Sequence, residues 1–345
     1  MRKQGSILIL FLWVLVFLTL FAVSLTMRTR IATKIESFYG RRMSADYDFL
    51  SAVNLARFFI TEDEDAGIDS PQDDWYGTPE KFEDSKFAEE FSLEIHDEES
   101  KINLNLASER LLISFFEVLK DHDMELESDI KELAANIIRW RGGVSPAGSS
   151  KDREKFKQAP FESVDELFLV PEVEASDIEI LKPYFTVYGN SNAKEMRVNI
   201  NTAHPFILEA LITSIPGASV TKRELWQRLE KFLNPSQSED EEAAEDEREI
   251  FHGEFLNIDA FMRKLALSDT PIMHYTAGQF LRFVTADSRY FMVSVRTKRQ
   301  RVGISKVEAV FGAPREDRSM KMALARAGFR LVTTPLEVHS WKEVR

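Results

Sequence analysis

The hydrophobic pattern changes period several times along this chain. From Ser6 to Val23 nearly every position is apolar, with Thr19 the main interruption. Ile7 to Thr26 is about 20 residues, the length that crosses a hydrocarbon core at 1.5 Å per residue. The pattern then becomes amphipathic: Ile31, Ile35, Phe38, Phe49, Val53, Ala56 and Ile60 recur at roughly helical spacing, with no proline and only Gly40 between Met27 and Ile60. One helix is therefore expected to run from the apolar segment into water. Between Ile60 and Phe82 the chain turns to acid, Gly and Pro, including Glu62, Asp63, Glu64, Asp65, Asp69, Asp73 and Asp74. That composition predicts a solvated loop, and the fixed offsets of an EF-hand are absent.

Period-two alternation follows at Phe91, Leu93 and Ile95, and again at Ile102, Leu104 and Leu106, predicting two short extended segments. An internal repeat then appears. Lys101-Ile-Asn-Leu-Asn-Leu-Ala107 recurs as Arg197-Val-Asn-Ile-Asn-Thr-Ala203, and downstream Leu111, Leu112, Phe115 and Phe116 fall in step with Ile207, Leu208, Leu211 and Ile212. The side chains of Asn103, Asn105, Asn199 and Asn201 are expected to accept bonds from N–H groups at the helix starts and to support the turns before them.

The first unit continues with an amphipathic helix over Asp129 to Arg141, ended by Gly142-Gly143. Ser163 with Glu166, and Ser176 with Glu179, read as capping boxes of two short helices separated by Pro171. The second unit turns at Pro216-Gly217 and resumes over Thr221 to Phe232. Glu239 to Glu249 holds eight acids and one base and reads as an exposed insertion. Asp259 reads as the N-cap of a last short helix, Ala260 to Leu267. After Pro271 the period is two: Phe280, Arg282 and Val284, then Tyr290 to Thr297, Val302 to Phe311 and Glu337 to Lys342 predict antiparallel strands.

Composition narrows the chemistry. The net charge of −13 disfavours binding to a phosphate backbone, and the absence of cysteine removes disulfides, thiolate metal sites and Cys nucleophiles. His96, His122, His204, His252, His274 and His339 are scattered without ligand spacing, and neither a phosphate loop nor a nucleophile elbow occurs. An enzyme is not expected, and no cofactor.

Two readings compete for the amino terminus. A secretory signal would be cleaved near Ala22 or Ser24, but the apolar run is longer than such signals and continues as a helix. The other begins from the short basic leader that ends at Gly5. The leader, the apolar helix and its amphipathic continuation resemble a type IV prepilin. That resemblance implies cleavage by prepilin peptidase after Gly5, methylation of the new amino-terminal Ser6, and an apolar segment that stays attached. Most pilins carry Glu at the fifth mature position; here it is Leu10, and the K-type minor pseudopilins are the variant that characteristically lacks this Glu. An intramembrane carboxylate is costly without a partner.

Ile102-Asn-Leu-Asn-Leu-Ala107, Ile138-Arg-Trp140, Pro160-Phe-Glu-Ser-Val-Asp-Glu-Leu167, Val198-Asn-Ile-Asn-Thr-Ala203, Ser288-Arg-Tyr-Phe291 and Val338-His-Ser-Trp341 together resemble the GspK (general secretion pathway protein K) family of type II secretion systems. The resemblance implies an α+β, type IV pilin-like fold: a long N-terminal helix packed on an antiparallel sheet, with a large all-α insert of two SAM-like, helix-hairpin-helix-like units. The implied organisation is a leader at 1–5, a transmembrane part at 6–27, a split pilin-like domain at 28–97 and 271–345, and insert units at 98–196 and 197–270, the second with an acidic loop at 235–250. The implied role is at the tip of a periplasmic pseudopilus that supports export of folded proteins across the outer membrane. Implied partners are the I- and J-type minor pseudopilins, the pseudopilus, the inner-membrane secretion platform and prepilin peptidase, with the body in the periplasm. Relatives show Asp-Trp-x-Asp and an acidic segment where this chain has Arg139-Trp140-Arg141-Gly142, so calcium, suggested by the resemblance, is not expected here. The competing reading is a membrane-anchored helix-hairpin-helix DNA-binding protein, set against the absence of Lys and Arg from Ser214 to Val220.

Overall fold

The computed structural model describes residues 4–62, 68–143, 155–189, 196–233, 271–298, 306–312 and 336–344. Helix α1, Gln4–Thr61, runs unbroken for 58 residues, or about 87 Å at 1.5 Å per residue. Its side chains are exposed from Leu8 to Met27 and beyond, and burial begins at Ala45. From there Phe49, Ala52, Val53, Ala56, Phe59 and Ile60 form one face. That face covers a four-stranded antiparallel sheet of order β1-β6-β7-β8, made of Phe91–Asp97, Tyr290–Thr297, Lys306–Gly312 and Glu337–Val344.

Alternation places Phe91, Leu93 and Ile95 on the inward side of β1, opposite like residues in register: Leu93 with Val295 and Val307, Ile95 with Val293 and Ala309. Phe49 meets Phe91 edge-on at 5.0 Å between ring centroids, and Trp75 meets Phe291 likewise at 4.9 Å. The same alternation puts Asp97 at the next inward position, in a row with Phe291 and Phe311. Gly312 closes β7 where the rings of Tyr290 and His339 meet across it, and a Cβ there would lie 2.3 Å from His339 Nε2. A side chain there would have to displace those two rings.

The chain leaves β1 and returns to β6 through a second body. Its first unit is β2 (Ile102–Asn103), α2 (Glu109–Asp121), α3 (Ile130–Trp140), α4 (Ala175–Leu181) and β3 (Phe185–Thr186). Its second is β4 (Val198–Asn199), α5 (Pro205–Ser214), α6 (Ser219–Leu233), α7 (Pro271–Phe280) and β5 (Val284–Thr285). The units are built alike: β2 pairs with β3 and β4 with β5, each in parallel over two residues. The equivalent helices α2 and α5 pack on each other. Arg110 at the start of α2 donates to the Ile215 carbonyl past the end of α5, while His122 past the end of α2 stacks on Phe206 near the start of α5, so the pair runs antiparallel. One buried cluster, from Ile102 to Val284, spans both units. Neither buries its apolar face alone.

Several local expectations change. Pro271 opens a helix that runs to Phe280, with proline tolerated at its first position, so the strand expected from Phe280 is confined to Val284–Thr285; Met273, Ala277, Phe280 and Val284 are buried in the helical core. The helical body therefore extends to β5, beyond the expected limit at residue 270. The expected box at Ser176 and Glu179 is not formed: α4 starts at Ala175 with Glu174 as its N-cap, leaving Ser176 inside the helix. Ser163 does cap a 3₁₀ segment, accepting from Asp165 N at 3.1 Å, whereas Glu166 reaches back to Glu162 N instead of Ser163 N. Ile102 to Leu106 is extended only at Ile102–Asn103. Helix α3 ends as expected: Gly142 has φ 85°, Gly143 N donates to Ile138 O and Gly142 N to Arg139 O, the paired bonds of a Schellman motif. The acidic stretch from Glu239 to Glu249, the acidic loop at 235–250, Asp259 and the helix expected at Ala260 to Leu267 lie outside the described residues.

The attachment of α1 rests on few large side chains. Phe49→Ala is expected to cost about 3–5 kcal/mol of sheet-lobe stability, read as a lower urea midpoint. An unchanged midpoint would show that α1 is not part of the folded lobe.

Candidate functional site

Of the asparagines that sequence analysis singled out, Asn199 and Asn201 reach the boundary between sheet and helices, while Asn103 and Asn105 bond within the first unit. Asn103 and Asn199 have matching roles. Each Oδ1 accepts from the backbone N–H two residues on, Asn105 at 2.8 Å and Asn201 at 3.0 Å. Each backbone carbonyl accepts from the alanine that closes the motif, Ala107 or Ala203. These are turn bonds. The helices themselves are capped by Ser108 and His204, three positions after Asn105 and Asn201, and not by the asparagines as expected. Asn105 links the turn to the downstream loop, exchanging two bonds with Phe161 at 2.7 and 2.9 Å.

The amide nitrogens of the two asparagines diverge. Asn103 Nδ2 donates to the Tyr188 carbonyl at 2.7 Å, inside the first unit. Asn199 Nδ2 reaches three oxygens outside its own unit: the Asp69 carbonyl at 2.9 Å, Asp97 Oδ2 at 3.0 Å and Ser288 Oγ at 2.8 Å. Asp97 Oδ2 also accepts from Thr202 Oγ1 and Ser288 Oγ, each at 2.5 Å, and its Oδ1 accepts from Glu99 N at 2.7 Å. Asp69 adds a backbone bond to Ala286 and accepts from Ser288 N. This corrects the solvated-loop expectation, since Asp69 and Ser70 are fully buried. The loop's carboxylate is tolerable there because it accepts from the Ser288 backbone N–H.

Asp97 lies where β1 hands over to the helical body, and Ser288 lies where the chain comes back. One carboxylate therefore ties both crossings to the second unit. Burial pushes its pKa up, opposed by the bonds from Ser288, Thr202, Glu99 N and Asn199. Glu99 beside it accepts from Arg289 N at 2.9 Å; burial and the Asp97 charge push it up to about 8. Glu98 plays the corresponding part for the first unit, ion-paired to Lys101 and accepting from Thr186 Oγ1 at 2.5 Å.

Sequence reasoning missed Glu98, Asp97, Thr186 and Thr285. The signal was present: Phe185-Thr-Val and Val284-Thr-Ala are the last apolar-Thr-apolar steps of the two units, and their threonines pair with Asn103 and Asn199.

Arg141 occupies the position noted for its departure from the acidic pattern. Its guanidinium donates to the Leu104 carbonyl at 2.5 Å and the Ala107 carbonyl at 2.6 Å, fastening the end of α3 to the first Asn-x-Asn turn. Burial lowers its pKa. Arg139 bonds Asn136 and lies over the Phe156 ring, and Trp140 Nε1 donates to Glu166 at 3.1 Å. Among the described residues no group of three His, Asp or Glu side chains is placed to hold a metal ion.

The other predicted positions lie far along α1. Gly5 and Ser6 fall in its first turns, and Leu10 is exposed. His122 and His204 flank Phe206, while His96, His274 and His339 belong to other surfaces. His252 is outside the described residues.

A solved structure has this architecture. A chain in the crystal structure of the GspK–GspI–GspJ complex from the enterotoxigenic Escherichia coli type 2 secretion system superposes with a TM-score of 0.57, at 14% identity, covering 91% of this chain and 99% of that one. No protein-family profile and no curated protein matches the sequence significantly. The shared fold is pilin-like α+β with an added helical domain.

Asp97→Ala would leave buried donors short of an acceptor and is expected to lower stability by about 2–4 kcal/mol in denaturant titration. Glu99 holds a proton in the folded chain between pH about 4.5 and about 8 that the unfolded chain has released. Stability should therefore fall as pH rises through that window and level off above it. The slope from this one group cannot exceed the one-proton limit of about 1.4 kcal/mol per pH unit. Glu99→Gln should flatten it; an equal slope in the variant would assign the proton elsewhere. Arg141→Met is expected to cost about 2–3 kcal/mol, and millimolar calcium should leave the melting temperature of the unmodified chain unchanged.

Proposed function

We propose that this chain is a membrane-anchored minor pseudopilin of the GspK type, acting at the tip of a type II secretion pseudopilus and not as an enzyme. The observation that carries the reading is architectural: a two-unit Asn-x-Asn helical body is inserted between two adjacent strands of a sheet that rides on one long, apolar-to-amphipathic helix. The work of such a subunit is noncovalent. Helix α1 would span the inner membrane over residues 6–27, after cleavage at Gly5 and methylation of Ser6, and hold the body in the periplasm.

A surface for partner helices is available on α1. Met43, Tyr47, Leu50 and Phe58 are exposed on the side away from the sheet, spaced 4, 3 and 8 residues apart, as a helix-packing seam requires. Other minor pseudopilins, of I and J type, are the proposed occupants, and the helical body would stand where a further subunit would otherwise add. The DNA-binding alternative is weakened by two cations at the Pro216-Gly217 turn: Lys222 donates to the Thr213 carbonyl at 2.8 Å and Arg110 to the Ile215 carbonyl. Both are engaged in closing the helix end.

Intact-mass analysis of the membrane-extracted chain should give a mature amino terminus at Ser6, carrying one methyl group; a start near Leu25 would overturn the anchor. Topology is a sharp second test. Two bases precede the apolar run and five lie from Arg28 to Arg42, which by charge counting alone would put the body on the cytoplasmic side. A reporter active only in the periplasm, fused after Arg345, is expected to be active. Leu50→Glu combined with Tyr47→Glu should leave folding within about 0.5 kcal/mol, since both are exposed. The same pair should reduce recovery of partner pseudopilins at least tenfold.

A further inference from the structure

The apolar part of α1 ends in a collar of positive charge. Arg28, Arg30 and Lys34 follow Met27 directly; all three are exposed, and none makes an ion pair among the described residues. At 1.5 Å per residue they stand about 1.5, 4.5 and 10 Å beyond Met27 along an unbroken helix. The polar layer of a bilayer leaflet is about 5–7 Å deep, and long basic side chains reach along the helix to it. At 100° per residue, Arg28 lies on nearly the opposite side of the helix from Arg30 and Lys34, so the charges surround the rod instead of forming a stripe. In a chain whose net charge is −13, residues 28–42 carry five bases and one acid, Glu36.

We infer that Arg28, Arg30 and Lys34 bind the phosphates of anionic phospholipids in the leaflet from which α1 emerges. The inference rests on the reading that residues 6–27 cross a membrane. The lipid is the fitting occupant because the collar adjoins the apolar segment itself, within the reach of a surface potential that fades over about 10 Å. Arg41 and Arg42, about 20 Å from Met27, lie beyond that reach. The collar would fix the depth of the helix in the bilayer and gather acidic lipid around the anchor.

The test uses the full chain reconstituted in phosphatidylcholine vesicles doped with spin-labelled phosphatidylglycerol or spin-labelled phosphatidylcholine. Relative association from the motionally restricted spectral component should favour phosphatidylglycerol by at least about fivefold, the effect of roughly one well-placed charge. The preference should drop toward one at 1 M salt. Arg28→Gln, Arg30→Gln and Lys34→Gln together should abolish it, and Arg41→Gln with Arg42→Gln should leave it intact. Retention after an alkaline carbonate wash reports insertion separately. A retained chain with no preference, or one whose preference survives the triple change, overturns the inference alone; a chain washed off the vesicles overturns the membrane reading with it.

Discussion

A single buried carboxylate sets the relation between the two halves of this molecule. Asp97 continues the inward alternation of β1, where its neighbours in register are phenylalanines, and a charged group in that row would be untenable without several donors. The donors come from the second helical unit, through Asn199 and Thr202, and from the returning strand, through Ser288. The sheet cannot close its end without the helical body, and the helical body cannot orient its second turn without the sheet. Such dependence favours one arrangement over many, because each half leaves the other with unpaired polar groups.

The elements that depended on neighbouring residues were legible in the sequence. The unbroken α1, the alternation of β1, the doubled motif and the stop at Gly142-Gly143 all follow from periodicity, turn chemistry or left-handed backbone. What was hidden depends on residues distant in sequence. Asp69 sits in a stretch whose composition argues for solvent, and only bonding to Ala286 and Ser288, more than two hundred positions away, makes its burial intelligible. The helix Pro271–Phe280 was not foreseen, since the period-two reading began at Phe280, and it is settled by packing into the helical core. The asparagines were recognised as turn residues, but their amide nitrogens gave no sign that one would stay home and the other cross to the sheet.

The departure at Arg139 and Arg141 shows how a changed charge can be structural. A guanidinium with fixed, forked donors spans two carbonyls of the Asn-x-Asn turn, and neighbouring Trp140 and Glu166 complete the attachment of α3. The turn's free carbonyls are satisfied from within the chain. The same economy appears at the Pro216-Gly217 hairpin, where Lys222 donates to the Thr213 carbonyl and Arg110 to the Ile215 carbonyl.

Strands β1 and β6 are direct neighbours, and their last paired residues are Asp97 and Phe291. Everything between them therefore occupies the place of a hairpin loop. Closing such a loop costs little more for a long, folded segment than for a short one, since the penalty grows only logarithmically and a folded segment brings its own ends together. The sheet lobe thus has the topology of a smaller protein into which a domain has been spliced at one turn. A short glycine-containing link in that place would restore a plain meander, provided that the inward carboxylate were exchanged for an apolar side chain.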